Sequence, residues 1–145
     1  MLGGVTVPHH AGLKGHSDAD ALLHAIVDAL LGAAGKADIG TRFPNSDPQW
    51  KDAESVVFLD AVWRELRGEG WQLVNVDCTV LAEEPKLKPF IPAMKEKIAS
   101  ILSVGVDRVG IKATTTEELG AIGRKEGLLA SAVVLLQRST TPPRA

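Results

Sequence analysis

Hydrophobic and polar positions alternate with two different periods along this chain, and the two periods divide it into helices and strands. Apolar residues recur every three to four positions in three segments, from about residue 18 to residue 33, from 54 to 67 and from 91 to 102. That spacing is typical of amphipathic helices with one buried face. We expect the first helix to begin at Ser17, because Ser17 and Asp20 resemble a capping pair.

Other segments have the period of a β-strand. Residues 71–81 alternate apolar and polar side chains, as a strand covered on one face does. Residues 128–137 are almost continuously apolar, which indicates a strand buried on both faces, most simply by a second copy of the chain. Residues 108–113 are a shorter strand, and 3–8 is a candidate that Pro8 would end. Together these segments predict an α+β fold, with helices on one face of a small mixed sheet.

Composition and charge narrow the classes of function. A chain of 145 residues fits one domain, predicted over 1–138, with the polar residues 139–145 as a disordered tail. The net charge of -2 gives no sign of nucleic-acid or membrane binding, and the apolar runs are too short to span a bilayer. The first residues lack the layout of a signal peptide, and the single Cys78 fits a reducing compartment. We therefore expect a cytoplasmic protein whose partners are small molecules or copies of itself.

The polar loop that leads into the first helix carries the main candidate chemistry. His16 and Ser17 lie beside the expected helix N-terminus, where backbone N–H groups and the helix dipole favour a phosphate. On the helix, Asp20, His24 and Asp28 are four residues apart and are expected on one face. An ordinary capped helix with a solvated acidic face has the same pattern, and one histidine cannot hold a metal alone. The spacing by itself leaves both interpretations open.

Three later segments have the composition of loops. Residues 38–48 are rich in turn formers, and their length favours a binding surface over a plain connector. Residues 82–89 carry two carboxylates and two lysines, and their simplest interpretation is a solvated connection. Thr114 and Glu117 have the spacing of another helix start, where hydroxyls and free N–H groups would converge.

Three separated motifs resemble those of one enzyme family. The run GHSDADALLHAIVDALLGA, then ADIGTRFPNSDP and later IKATTTEELGAIGRKEG have the order and spacing found in the 2-C-methyl-D-erythritol 2,4-cyclodiphosphate synthases of the non-mevalonate isoprenoid pathway. The resemblance extends from Gly3 to about Arg138. It implies a homotrimer around a threefold axis with active sites at the subunit junctions. The implied substrate is 4-diphosphocytidyl-2-C-methyl-D-erythritol 2-phosphate, which cyclises with release of CMP.

The same resemblance implies roles for individual residues. His24 matches a zinc ligand, and Glu117 matches a carboxylate that helps to hold magnesium or manganese between two phosphates. His16 and Thr115 match positions that stabilise the transition state, and Asp20 or Asp28 would orient the His24 ring. The other members of the implied substrate site contact the methylerythritol, the cytidine or the diphosphate: Ser17, Asp38, Ile39, Gly40, Phe43, Asp47, Ala82, Pro85, Lys86, Leu87, Thr114, Thr116 and Arg124.

One part of the family pattern is missing. The family carries an Asp-x-His pair on a strand ahead of the glycines that are here Gly3 and Gly4, and this pair completes a zinc site of three protein ligands. We expect either that the true start lies upstream, which the intact diphosphate-binding residues favour, or that the zinc site has been lost. A chain that had lost it would be a trimeric protein that binds CMP or diphosphate without turnover. A third interpretation is a hydrolase with one metal on His24 and either His9 or His10, since adjacent side chains on an extended segment point to opposite sides.

Overall fold

A three-stranded sheet lies at the centre of the computed structural model, which describes residues 1–9 and 18–139. The strands are β1 (Trp71–Leu81), β2 (Val109–Thr114) and β3 (Leu129–Arg138), in the order β2-β1-β3. β1 pairs with β2 in parallel and with β3 in antiparallel orientation. The predicted mixed sheet is therefore confirmed, and the strand bounds differ from the prediction by no more than one residue.

Helices cover one face of this sheet. In chain order the described helices are α1 (Ala21–Ala33), α2 (Ile39–Arg42), α3 (Ser55–Gly68), α4 (Ile91–Leu102) and α5 (Gly120–Gly123). α1 packs on β3, α3 on β1, and α4 on β2. Alternate residues of β1, namely Val76, Cys78 and Val80, are buried beneath them, as the period of two requires. No helix within residues 1–9 and 18–139 is long and apolar enough to cross a membrane.

The start of α1 differs from the prediction. Its N-cap is Asp20, whose Oδ1 accepts a hydrogen bond from the backbone N–H of Leu23 at 3.0 Å. The same carboxylate accepts from the amides of Gly3 at 2.9 Å and Gly4 at 2.7 Å, and Asp20 is completely buried. Ser17 was expected to cap this helix on local spacing. Asp20 takes that position because it can bind three amides, two of them distant in sequence.

The N-terminal segment also differs from the prediction, because residues 3–8 do not form a strand. Leu2 and Val5 exchange backbone hydrogen bonds of 2.9 and 3.1 Å across a turn at Gly3 and Gly4. Both glycines have positive φ, 60° and 75°, and a Cβ at Gly3 would lie 2.8 Å from Cγ of Met94. The turn and the close packing therefore both require glycine at this position.

One face of β3 is open in the single chain. Val133 is 70% exposed, Leu135 57% and Leu129 48%, whereas the alternate residues pack against the core. The sequence predicted cover on both faces, with a second copy on the outer one. Cover by another copy of the chain stays a prediction.

The C-terminal end of β3 remains attached to the domain. The Ser139 amide donates to the Gly70 carbonyl at 2.8 Å, so the first residue of the predicted tail is bonded to the fold. Residues 140–145 lie outside the described part, and their disorder stays a prediction.

Candidate active site

His24 lies on the second turn of α1 and contacts the first turn of α3. Its Nε2 is 2.8 Å from Oγ of Ser55, a residue with no solvent exposure. Ser55 Oγ donates to the Asp18 carboxylate, and the Ser55 amide also donates to Asp18 Oδ2 at 3.3 Å. The half-buried ring of His24 is tilted against Phe58, with the ring centroids 6.2 Å apart. Asp18, Ser55 and His24 thus form a continuous hydrogen-bonded chain.

The order of this chain determines which ring nitrogen of neutral His24 carries the proton. A carboxylate only accepts hydrogen bonds, so the one hydroxyl proton of Ser55 is directed at Asp18. Ser55 Oγ must then accept from His24, which places the ring proton on Nε2. In that tautomer the lone pair is on Nδ1. Because Ser55 is fully buried, this arrangement positions a histidine and does not expose a serine nucleophile.

The two carboxylates expected to orient His24 bind backbone amides. Asp20 caps α1, as described above. Asp28 Oδ1 accepts from the backbone N–H of Ile39 at 2.8 Å, which attaches α2 to α1. The residues that sequence reasoning missed in this role are Ser55 and Asp18. No sequence pattern links Asp18 to Ser55, because the two residues are distant in sequence and meet only where α3 packs on α1.

The 38–48 segment contains more regular structure than a plain loop. Asp38 caps α2 by accepting from the Thr41 amide at 3.0 Å, and its bonds with Thr41 lower the pKa of this exposed carboxyl. Asp47 caps a short 3-10 helix in the same way, accepting from Gln49 at 2.9 Å. Ile39 is half-buried and Gly40 exposed.

Phe43 is a buried residue of this segment. It is 5% exposed and lies in an aromatic cluster, 4.8 Å from Trp50 and 4.7 Å from Phe58 between ring centroids. Phe43 therefore anchors the segment to the core, and a substrate contact by this residue stays a prediction.

A second group of predicted residues meets at the ends of β1 and β2. The Ala82 amide donates to the Thr114 carbonyl at 3.0 Å, which aligns the loop after β1 with the loop after β2. In the first loop Ala82 and Leu87 are buried, Pro85 is half-buried and Lys86 is exposed. The structure thus brings the implied cytidine segment beside the implied diphosphate segment.

The 114–119 loop is not a helix start, contrary to the spacing of Thr114 and Glu117. Glu117 and Glu118 have φ values of 54° and 63°, so the chain turns there, and α5 begins only at Gly120. Thr115 Oγ1 accepts from the Glu117 amide at 3.2 Å. Thr115 is half-buried, as is Thr116, while the Glu117 carboxylate is exposed. Hydroxyls do converge here, as expected, but the expectation of free N–H groups is wrong: the amides of Thr116, Glu117 and Glu118 all have side-chain acceptors.

Charged residues around this second group are paired. Lys125 Nζ lies 2.6 Å from Glu84, which raises the pKa of the lysine, and His9 Nε2 lies 3.4 Å from the same glutamate. Arg124 pairs with Glu126 at 3.0 Å on the surface. His9 is therefore placed against the loop after β1, and a ligand role beside His24 stays untested.

The described residues supply only part of a metal site. Within residues 1–9 and 18–139, no three His, Cys, Asp or Glu side chains are close enough to hold a metal ion. His10, His16 and Ser17 lie outside the described residues. Cys78 lies completely buried between the sheet and the helices, and this burial raises the pKa of its thiol to about 12.

Comparison with known proteins decides the family. Residues 1–137 match the sequence model of the YgbB family. The chain belongs to the YgbB family. A Bacillus cereus (strain ATCC 10987 / NRS 248) relative named 2-C-methyl-D-erythritol 2,4-cyclodiphosphate synthase is 52% identical over 138 residues, which make up 95% of this chain and 87% of the relative.

Solved structures of YgbB-like proteins superpose closely on this chain. The bifunctional IspDF from Campylobacter jejuni gives a TM-score of 0.91 at 45% identity; the match covers 96% of this chain and 38% of that longer one. A 2C-methyl-D-erythritol-2,4-cyclodiphosphate synthase in its CDP-bound form gives 0.87 at 36% identity, over 94% of this chain and 89% of that one. These comparisons confirm the family resemblance and the fold expected from the sequence.

Proposed function

We propose that this chain is a 2-C-methyl-D-erythritol 2,4-cyclodiphosphate synthase, a lyase of the non-mevalonate isoprenoid pathway. The observation that carries the proposal is 52% identity over 138 residues to a synthase of that name. In the reaction an oxygen of the substrate's 2-phosphate forms a bond to the β-phosphorus. The bond from that phosphorus to the bridging oxygen breaks, and CMP leaves with the electron pair. Because the substrate supplies its own nucleophile, the protein has to fold the substrate and balance phosphate charge.

The residues of this chain fit that task in two groups. The cytidine would lie along the loop after β1, at Ala82, Pro85 and Leu87, with Lys86 near a phosphate. The diphosphate would contact the 114–117 turn, where the Thr115 and Thr116 side chains are held half-buried. A structural relative bound to CDP supports a cytidyl diphosphate as ligand.

The other implied contacts come from the 38–47 segment and from the loop before α1. Asp38 keeps a negative charge at neutral pH, since its pKa is lowered, and suits the hydroxyls of the methylerythritol. Ile39, Gly40, Phe43 and Asp47 would complete that subsite, with Arg124 near the phosphates. His16 would act with Thr115 on the transition state, and Ser17 would contact phosphate.

The donor chemistry of the chain suits one of the two implied metals better than the other. Magnesium or manganese needs only one or two carboxylates when substrate phosphates supply further oxygens, so the exposed Glu117 could hold it. Bound there, the ion would neutralise phosphate charge. A zinc site needs three protein ligands, and the described residues bring no three candidate side chains together, so they do not form a zinc site by themselves.

Assembly as a homotrimer would cover the open face of β3. Val133 and Leu135 stand on that face, and apolar side chains of this size are commonly buried in subunit contacts. Active sites at the junctions would then combine the two residue groups from neighbouring copies. The expected location is the cytoplasm, where the reduced, buried Cys78 would be stable.

The test is turnover of the cytidyl substrate by this chain and by a version extended to the next upstream start. The expected result is CMP and the cyclic diphosphate in equal amounts, with zinc bound by the active form. If both versions bind CMP but neither forms CMP from the cytidyl substrate, the protein is a binding protein of this fold. Release of free phosphate in place of the cyclic product would instead indicate a hydrolase.

A further inference from the structure

Glu83 connects the two loops of the second residue group. Its Oε1 accepts hydrogen bonds from the Thr116 amide at 3.0 Å and the Glu118 amide at 3.2 Å. The Thr116 hydroxyl lies 3.3 Å from the same oxygen, but its one proton is better placed for the Leu119 carbonyl at 2.8 Å. These bonds to Oε1 span more than 30 positions of the sequence and attach this half-buried side chain to the turn after β2. One carboxylate oxygen thus accepts from two backbone amides of a single turn.

The turn that Glu83 binds has an unfavourable backbone. Glu117 and Glu118 both have positive φ, in the left-handed region that residues with side chains avoid. The turn also packs closely on α5, since a Cβ at Gly123 would lie 2.2 Å from the backbone carbonyl carbon of Glu118. A conformation of this kind persists only when surrounding contacts hold it, and the amides bound by Glu83 are those on either side of Glu117.

We propose that Glu83 is a positioning residue that holds the 115–118 turn in the conformation presenting Thr115 and Glu117 to the substrate. Its function as a positioning residue for turnover rests on the proposed synthase activity, whereas its hydrogen bonding to the turn does not. The contacts of Oε1 go to backbone amides of the turn, so the role assigned to Glu83 is exerted through the conformation of the turn.

Two substitutions separate hydrogen bonding from charge. Glu83→Ala removes the acceptor, whereas Glu83→Gln keeps a carbonyl oxygen that can accept from the same amides without the negative charge. Glu84→Ala is the matched control, because it removes the adjacent carboxylate, which pairs with Lys125 and His9 on the other side of the loop.

The first measurement is backbone hydrogen exchange at Thr116 and Glu118. In Glu83→Ala both amides should exchange at least about tenfold faster, the effect of losing one charge-assisted hydrogen bond. Glu83→Gln should restore most of the protection, and Glu84→Ala should change it less than about twofold. Unchanged exchange in Glu83→Ala would overturn the proposal. If that variant does not fold, the comparison of Glu83→Gln with wild type decides: protection lost in the glutamine variant overturns hydrogen bonding as the cause.

The second measurement separates positioning from a purely structural role. CMP release by Glu83→Ala should show a kcat lowered by about tenfold or more, with a smaller change in KM, because the turn acts on the reacting phosphates and the cytidine binds elsewhere. Glu83→Gln should recover most of kcat. An unchanged kcat alongside faster amide exchange would overturn the positioning role. The substitutions are made in whichever version of the chain, given or extended upstream, releases CMP. If neither version does, the synthase proposal fails; CDP affinity by calorimetry then replaces kcat, and an unchanged affinity in Glu83→Ala overturns the role.

Discussion

Replacing Ser55 by alanine should destabilise the protein and release the ring of His24. The Ser55 hydroxyl makes two hydrogen bonds, one to the Asp18 carboxylate and one to His24 Nε2, and water cannot replace it at a residue with no exposure. A hydrogen bond to a charged group contributes about 1.5–3 kcal/mol and one between neutral groups about 1 kcal/mol. Asp18 is half-buried and can regain some hydration, so we expect a loss of about 2–3 kcal/mol in unfolding free energy.

The assay is urea unfolding of the wild type and the variant, with a fall in Tm of roughly 6–12 °C as the thermal counterpart. Ser100→Ala is the matched control, because Ser100 is exposed on α4 and its replacement should cost less than about 0.5 kcal/mol. Nitrogen NMR of the His24 ring provides a second readout. The wild type should carry the proton on Nε2, and the variant should populate both neutral forms.

Two results together would refute this reasoning. A cost below about 1 kcal/mol would mean that the hydroxyl is not a buried partner of a charged group. An unchanged ring proton position would mean that contacts other than Ser55 orient His24. A low cost alone would contradict the energetic role of Ser55, and an unchanged ring proton alone would contradict its role in orienting His24.

Three further perturbations test other parts of the fold. Asp20→Ala removes the cap of α1 and the acceptor of two glycine amides, so urea unfolding should show a loss of about 3–5 kcal/mol. Gly123→Ala should lower Tm and weaken CDP binding, since its Cβ would lie 2.2 Å from the Glu118 backbone. The hydrogen bond of Lys36 lowers the pKa of Glu65 below 4.5, so this pair stabilises the fold above about pH 4.5 and the effect is lost as pH falls through the folded-state value. The stability difference between wild type and Glu65→Gln, measured in urea, should therefore shrink towards acid pH.

The Asp20, Gly123 and Glu65 variants each have a control or a result that would contradict the prediction. Asp20→Asn keeps one acceptor oxygen and should cost less than the alanine variant; an equal cost would argue against the hydrogen bonds. Gly127→Ala has no atom within 4 Å of the added Cβ and should leave CDP binding unchanged. A pH-independent difference for Glu65→Gln would show that the ion pair does not contribute.

The long periodic elements were predictable because their signals are repeated. α3, α4 and β1 each repeat an apolar spacing over more than ten residues, so one polar substitution does not hide the pattern. The faces of a helix are less predictable from spacing: Val57 is an apolar residue of α3, yet it is 45% exposed. Residues at the edge of an apolar stripe depend on what packs beside them, which spacing does not reveal.

The short polar signals were misleading because their partners are distant in sequence. Thr114 and Glu117 have the spacing of a capping box, yet the amides of this turn bind Glu83 from the loop after β1. Ser17 was a reasonable cap for α1 by spacing alone, but the two glycine amides near the N-terminus favour Asp20. Local capping rules apply when nothing else competes for the donors, and in both cases a distant segment did.

The acidic residues around α1 are best explained as attachment points for other segments. Asp20 accepts from the N-terminal turn, Asp18 from the start of α3, and Asp28 from the start of α2. A carboxylate facing backbone N–H groups makes a stronger hydrogen bond than a neutral acceptor, so a few such residues can fix several segments relative to one helix. His24 lies among these attachments and takes its orientation from one of them, through Ser55. Asp20 and Asp28, which the spacing placed on the face of His24, therefore serve the assembly of the fold, and a shift of α1 would move the histidine and the 38–42 segment together.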